Sequence, residues 1–223
     1  MTARSARRRF ALLALSLLAA GGCGAPDLYI DALVAPPPGS CDLRSPLELR
    51  ELQTLTLDVA FREDYVALLR VGNTSGERWT PGSARVSLTQ IDGTPLVEGV
   101  QIPVTGTVSG RYGLLDLPLL PREVGQEFAS VVRNQGRGAR LTVLVTLDFG
   151  PDSDVLEASW RLNVCHGCLV DFPLAALDAD GQCSTPPDGA SADAAPPPHC
   201  RLGQDDPVDC RLCADEVDVC QNP

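Results

Sequence analysis

The chain has 223 residues, and its 29 acidic side chains outnumber 18 basic ones, every one of them arginine. Without lysine there is no amine for a Schiff base, a Walker-type phosphate grip or a lysine general base, and the acidic balance excludes nucleic acid and anionic lipid surfaces as partners by repulsion. Only 4% of the residues are aromatic, so a core has to be built of Leu and Val.

The chain opens MTARSARRRFALLALSLLAAGGC. Arg4, Arg7, Arg8 and Arg9 form a positive n-region, and the apolar run from Phe10 to Ala20 is too short to cross a bilayer as a stable helix, so it reads as the h-region of a secretory signal. Ala20-Gly21-Gly22-Cys23 resembles the lipobox of bacterial lipoproteins, in which the cysteine receives a diacylglycerol and the peptide before it is removed; Ala20 stands where leucine is usual. The resemblance implies a signal peptide over residues 1–22, lipidation at Cys23, and the membrane as a partner through that anchor. Gly24 and Ala25, with no aspartate after the cysteine, imply the outer membrane of a Gram-negative host, on its periplasmic or its outer side. The alternative is an ordinary signal peptide with a cysteine beside its cleavage site. Removing the leader leaves 14 arginines against 29 acids, a formal charge of −15.

Residues 23–46 read as a lipidated N-terminus and tether, with Pro36 to Pro38 keeping its end extended and stiff. Leu28, Ile30, Ala32 and Val34 alternate with Tyr29 and Asp31, so a first edge strand is the competing expectation.

Over 47–168 the alternation is sustained. Leu55, Leu57, Val59 and Phe61 share a face, as do Tyr65, Ala67, Leu69 and Val71. Val86 and Leu88 precede the hairpin signal Asp92-Gly93, Val100, Ile102 and Val104 follow it, and Leu115, Leu117 and Leu119 come next. Leu141, Val143, Val145, Leu147 and Phe149 then face one way before the turn GPDSD, and Leu156, Ala158, Trp160, Leu162 and Val164 after it. Period two with one polar face means half-buried antiparallel strands. Seven or eight short strands over about 120 residues predict an all-β, immunoglobulin-like antiparallel β-sandwich with no long helix. Arg133 to Arg140 reads as a solvated hairpin tip, and Asn73-Thr74-Ser75 as a turn.

In the tail, 169–223, the apolar pattern fades into LDADGQCSTPPDGASADAAPPPHC, which cannot bury a core. Cysteines are dense here. Setting Cys23 aside leaves eight: Cys41, Cys165, Cys168, Cys183, Cys200, Cys210, Cys213 and Cys220. An even number in an exported chain reads as a disulfide framework with 105 possible connectivities, and if all pair, Cys41 must reach one of the seven from Cys165 onward.

Sharper chemistries compete. Cys165/Cys168 and Cys210/Cys213 would make a four-thiolate zinc site, but the 41-residue gap between the pairs is long for a zinc ribbon and the compartment oxidises thiols. Cys165-His166-Gly167-Cys168 looks like a thioredoxin-type motif without the βαβ pattern around it. Asp178 to Gly181 partly resembles an EF-hand start but lacks the later ligands, and Asp205, Asp206 and Asp209 read as a solvated loop. A serine hydrolase would have to use His166 or His199, each beside a cysteine. No catalytic residue, metal ligand or cofactor is therefore assigned.

The leader, the strand-rich middle, NVCHGCLVDFP and CRLGQDDPVDCRLC together resemble a class of cysteine-rich outer-membrane lipoproteins encoded by high-GC, myxobacteria-like genomes, most strongly over the last sixty residues. The resemblance implies location and architecture and assigns no activity. The reading is a lipid-anchored binding or structural module of the cell envelope, with an unidentified envelope partner. The rival is an envelope thiol-disulfide oxidoreductase using Cys165 and Cys168.

Overall fold

The computed structural model describes residues 27–37, 41–135, 138–151, 153, 155–178, 180–183, 199–215 and 217–221. The leader, Cys23 and the stretch 184–198 lie outside the described residues.

Alternation becomes two packed sheets. Strands β1 (Leu28–Ala35), β2 (Arg50–Glu51), β4 (Tyr65–Asn73), β7 (Thr105–Thr107) and β8 (Tyr112–Leu120) form one, in the order β2-β1-β4-β8-β7. Strands β3 (Leu55–Asp58), β5 (Ser83–Gln90), β6 (Pro95–Ile102), β9 (Ala139–Asp148) and β10 (Leu156–Cys165) form the other, in the order β3-β10-β9-β5-β6. This is the immunoglobulin-like arrangement: β1-β4-β8-β7 stand in the places of strands A-B-E-D, and β10-β9-β5-β6 in those of G-F-C-C′. The inward residues of both sheets meet as one apolar layer. Leu55, Leu57, Leu69, Leu115, Leu117, Val143, Val145, Leu162 and Val164 are all fully buried there. Burying each such side chain stabilises the fold by about 1.5–3 kcal/mol.

One pairing departs from the antiparallel expectation. β3 runs parallel to β10, with Leu55 opposite Leu162 and Leu57 opposite Val164. A period of two fits either direction, so the pattern alone does not distinguish them. The first strand of the sandwich is thus shared between its sheets: β1 pairs with β4 in one and β3 with β10 in the other.

The structure also corrects three boundaries. Residues 28–35, read as tether, are β1, which pairs antiparallel with β4 along Leu28–Val34 and buries Leu28 and Leu33. The sandwich therefore begins at 28 and not at 47. A 14-residue helix, α1 (Arg122–Gln135), links β8 to β9, where no helix was expected. Its apolar stripe is narrow, with Val124, Phe128, Ala129 and Val132 on the core and mostly polar or charged residues elsewhere, so its mean hydropathy conceals it. Gly125 sits where α1 crosses the chain before β4, and a Cβ there would lie 1.5 Å from the Glu63 carbonyl oxygen. The Arg133 end of the expected hairpin tip is accordingly the last turn of a helix, and its Nη2 donates to the Val59 carbonyl at 2.7 Å.

The third correction concerns the tail. Ala176, Val208, Ala214 and the sulfurs of Cys183, Cys210, Cys213 and Cys220 form a small apolar cluster of their own, against which Phe61, Phe172 and Val219 pack. A two-residue parallel pair, β11 (Val170–Asp171) with β12 (Val208–Asp209), joins the start of the tail to its end. The tail has a core after all, made largely of disulfides and too small to register as apolar periodicity.

Candidate functional site

All eight cysteines after Cys23 are paired with one another: Cys41–Cys200, Cys165–Cys168, Cys183–Cys210 and Cys213–Cys220. Cys41 does reach across the chain, closing a separation of 159 residues with a Cα–Cα distance of 5.3 Å. The last two pairs are buried in the tail's cluster. The Cys41–Cys200 and Cys165–Cys168 bonds lie at the surface of the join between tail and sandwich.

Cys210 and Cys213 take different partners, so the two C-x-x-C motifs do not converge on one four-thiolate site. Asp58, Cys165 and Cys168 do bring three metal-ligating atoms within 4.8 Å of one another, with both sulfurs tied in a disulfide. The carboxylate is occupied. Fully buried, it accepts N–H bonds from Gly167 at 2.7 Å and Ala60 at 3.0 Å on one oxygen and from Leu169 at 3.0 Å on the other. Two of those amides belong to the C-x-x-C loop and its exit. Asp58 therefore orders the loop, and its negative charge opposes a thiolate at Cys165.

Next to this loop, residues 201–206 lie along the open edge of β3. Gly203 accepts from the Asp58 amide at 2.9 Å, Asp205 donates its amide to the Thr56 carbonyl at 3.1 Å, and Gln204 forms a bridge with Leu57. Buried Gln204 holds β4 from both sides, its Nε2 donating to the Val66 carbonyl at 3.0 Å and its Oε1 accepting from the Val66 amide at 3.3 Å. Arg201 pairs with Asp116 of β8 at 2.7 Å and also donates to the Val66 carbonyl. Arg50 of β2 pairs with Asp206. A sheet edge left open is a template for unwanted pairing, and here the tail covers it. The sequence reading of Asp205, Asp206 and Asp209 as a solvated loop is thus corrected: each holds a defined partner, and Asp209 caps a 3-10 turn at Cys210–Leu212 by accepting from the Arg211 amide at 3.0 Å.

Asp205 is the unusual member. Its carboxylate accepts from the Thr56 amide at 2.7 Å and the Tyr65 hydroxyl at 2.6 Å. Burial pushes its carboxyl up to about 6, against the opposing pull of those two donors. Tyr65, buried beside it, is raised well above the ordinary phenol range by burial and then by the Asp205 charge. Asp205 is also the one non-glycine with positive φ among the described residues, at 59°, a conformation that L side chains adopt at some strain. Strain and a displaced carboxyl in one residue mark a functional-site candidate. The cavity beside it, lined by Pro36, Leu68, Gln204 and Asp206 among others, measures about 20 Å³, room for about one water and no organic ligand.

Other candidates resolve more simply. Asp178 accepts from the Asp180 and Gln182 amides, both at 2.9 Å, which is turn chemistry. His166 is exposed and His199 half-buried. Two wider depressions flank α1. One, of about 350 Å³, is polar and lined by Arg62, Glu63, Asp64, Arg122 and Arg133. The other, of about 340 Å³, is lined by Ile91, Phe128, Val131 and Leu141 among others. No protein-family model matches this chain, and no curated protein matches it.

Asp58 and Asp205 were not identified from sequence as site residues. Asp58 stands on the polar side of an alternating strand and Asp205 in an acidic run, both ordinary solvated settings until the tail folds over them. The signal that bears on them is the pairing of Gly203 with Asp205 in the GQDD turn, where two residues in a row of three take positive φ.

Proposed function

We propose that this chain is an exported, lipid-anchored module of the cell envelope that presents an immunoglobulin-like sandwich to a partner and does not itself catalyse a reaction. The observation that carries the reading is the cysteine pairing. Eight sulfurs close on one another, and the ninth, Cys23, is left over at the one position that resembles a lipobox. Four disulfides favour an oxidising compartment, in keeping with a leader of the secretory type. The acidic mature surface keeps the module off anionic headgroups, so attachment falls to the acyl chains at Cys23. The depression beside α1 lined by Phe128 and Leu141, with Ile91 69% and Val131 46% exposed, supplies apolar contact area for an envelope partner.

A role in thiol-disulfide exchange at Cys165 and Cys168 is the weaker reading. Asp58 takes up loop amides that would otherwise steady a thiolate and adds a negative charge beside it. The test of the main reading is palmitate labelling and fractionation of the full chain in a Gram-negative host. Labelled protein in the membrane fraction, and unlabelled soluble Cys23→Ser protein, are expected. An unlabelled wild type, or a Cys23→Ser variant still in the membrane, would refute it.

A further inference from the structure

A buried carboxylate stands beside the C-x-x-C disulfide, and the three groups hold a chemistry that the oxidised state conceals. We propose that opening Cys165–Cys168 with a thiol reductant creates a zinc site, its protein ligands being the two cysteine sulfurs and Asp58 Oδ2. The ligating atoms already lie within 4.8 Å of one another. Around zinc, two thiolates and a carboxylate oxygen stand roughly 3.6–3.8 Å apart, so small side-chain rotations complete the set once the sulfurs part.

The surroundings prepare this site. Asp58 Oδ1 accepts two amides but Oδ2 only one, from Leu169, and a carboxylate oxygen has a second lone pair to give a cation. Amides that donate to a ligating carboxylate orient it, and two of these come from the C-x-x-C loop and its exit. That support does not run through the disulfide: Gly167 turns the loop at φ 75°, and the Val59 amide donates to the Cys165 carbonyl at 2.8 Å. The bond joins residues only 3 apart, so opening it frees little chain entropy and leaves the fold in place. Cys168 is exposed, which admits reductant and ion and leaves the fourth place of the tetrahedron to water.

Charge decides which state takes the ion. A disulfide is neutral and offers no thiolate. Reduction transfers two electrons from a dithiol, which leaves as its own disulfide, and yields Cys165 and Cys168 as thiols. Zinc then takes both sulfurs as thiolates and releases their two protons. Without the ion, two thiolates beside the buried Asp58 carboxylate would repel it and each other; the divalent charge offsets that repulsion. This inference does not depend on the anchoring proposed above.

The full chain carrying Cys23→Ser, with no thiol outside the eight, tests it after limited treatment with dithiothreitol and removal of the reductant under nitrogen. Native mass spectrometry should count one zinc on chains with the pair open and none on oxidised chains. Alkylation mapping with iodoacetamide should find Cys165 and Cys168 shielded by zinc, and any Cys41 or Cys200 thiol unshielded. Cys168→Ser changes an exposed position and should weaken zinc binding by at least the roughly 10–100-fold that losing a group supporting a ligand costs. The ¹³C resonance of the Asp58 carboxylate should shift when zinc is added to the reduced chain, a readout that needs no substitution in the core. No zinc on the reduced chain, equal zinc on both states, full affinity in Cys168→Ser or an unmoved Asp58 resonance would each overturn the site.

Discussion

Asp58→Asn isolates what a buried carboxylate does for the C-x-x-C loop. The carboxylate serves three amides, two on one oxygen and one on the other. An asparagine has the same shape but one acceptor, so its best orientation keeps Gly167 and Ala60 and turns an N–H₂ toward the Leu169 amide. That loses one bond to a charged acceptor, about 1.5–3 kcal/mol, and leaves a buried donor facing a donor, about 1–3 kcal/mol more. The expected loss is about 3–5 kcal/mol, a large part of the ~5–15 kcal/mol that holds a domain together. Urea unfolding of the oxidised protein measures it, provided the slope with denaturant is unchanged and the transition stays two-state. A loss below about 1 kcal/mol would refute the view that Asp58 organises the join between sandwich and tail.

Further outcomes follow from the same geometry. Gly125→Ala, which in an ordinary helix interior stabilises by about 1 kcal/mol, should here destabilise by more than that, because its Cβ meets the Glu63 carbonyl; thermal unfolding gives the sign. Replacing Cys41 and Cys200 by serine opens a 159-residue loop and should cost about 5 kcal/mol, against about 2 for Cys165 and Cys168, by denaturant unfolding of each double variant. Because the Asp205 carboxyl is held above its unfolded value of 3.8, the folded chain binds the extra proton, and stability falls as pH rises from about 4 through about 6. The stability of Asp205→Asn relative to wild type should therefore improve by about 2 kcal/mol between pH 4.5 and pH 7.5, and no change would contradict the burial of that charge.

The sandwich was legible because its strands carry their pattern individually: Leu141 to Leu147 and Leu156 to Leu162 pair in the register that their alternation implies. The β1 strand alternates equally well, but its proximity to three prolines favoured a tether until its pairing with β4 was visible. The α1 helix was lost for the opposite reason, since a stripe at Val124, Phe128, Ala129 and Val132 is only four residues long and lies in a polar segment. The tail hid the most. Its core is assembled from Ala176, Val208 and four half-cystines from Cys183 to Cys220, with Phe61 of the sandwich packed against them, a set that no local window contains. The same holds for half-buried Asp205, whose partner Tyr65 lies 140 residues earlier.

The proposed lipid anchor requires that the cysteines from 41 to 220 form a closed set that leaves Cys23 for lipid. Non-reducing peptide mass spectrometry of the protein isolated from membranes tests it most directly. Cys41–Cys200, Cys165–Cys168, Cys183–Cys210 and Cys213–Cys220 are the expected bonds, with an acylated N-terminal peptide beginning at Cys23. Free thiols within that set, a disulfide that includes Cys23, or a Cys23 without acyl chains would contradict it.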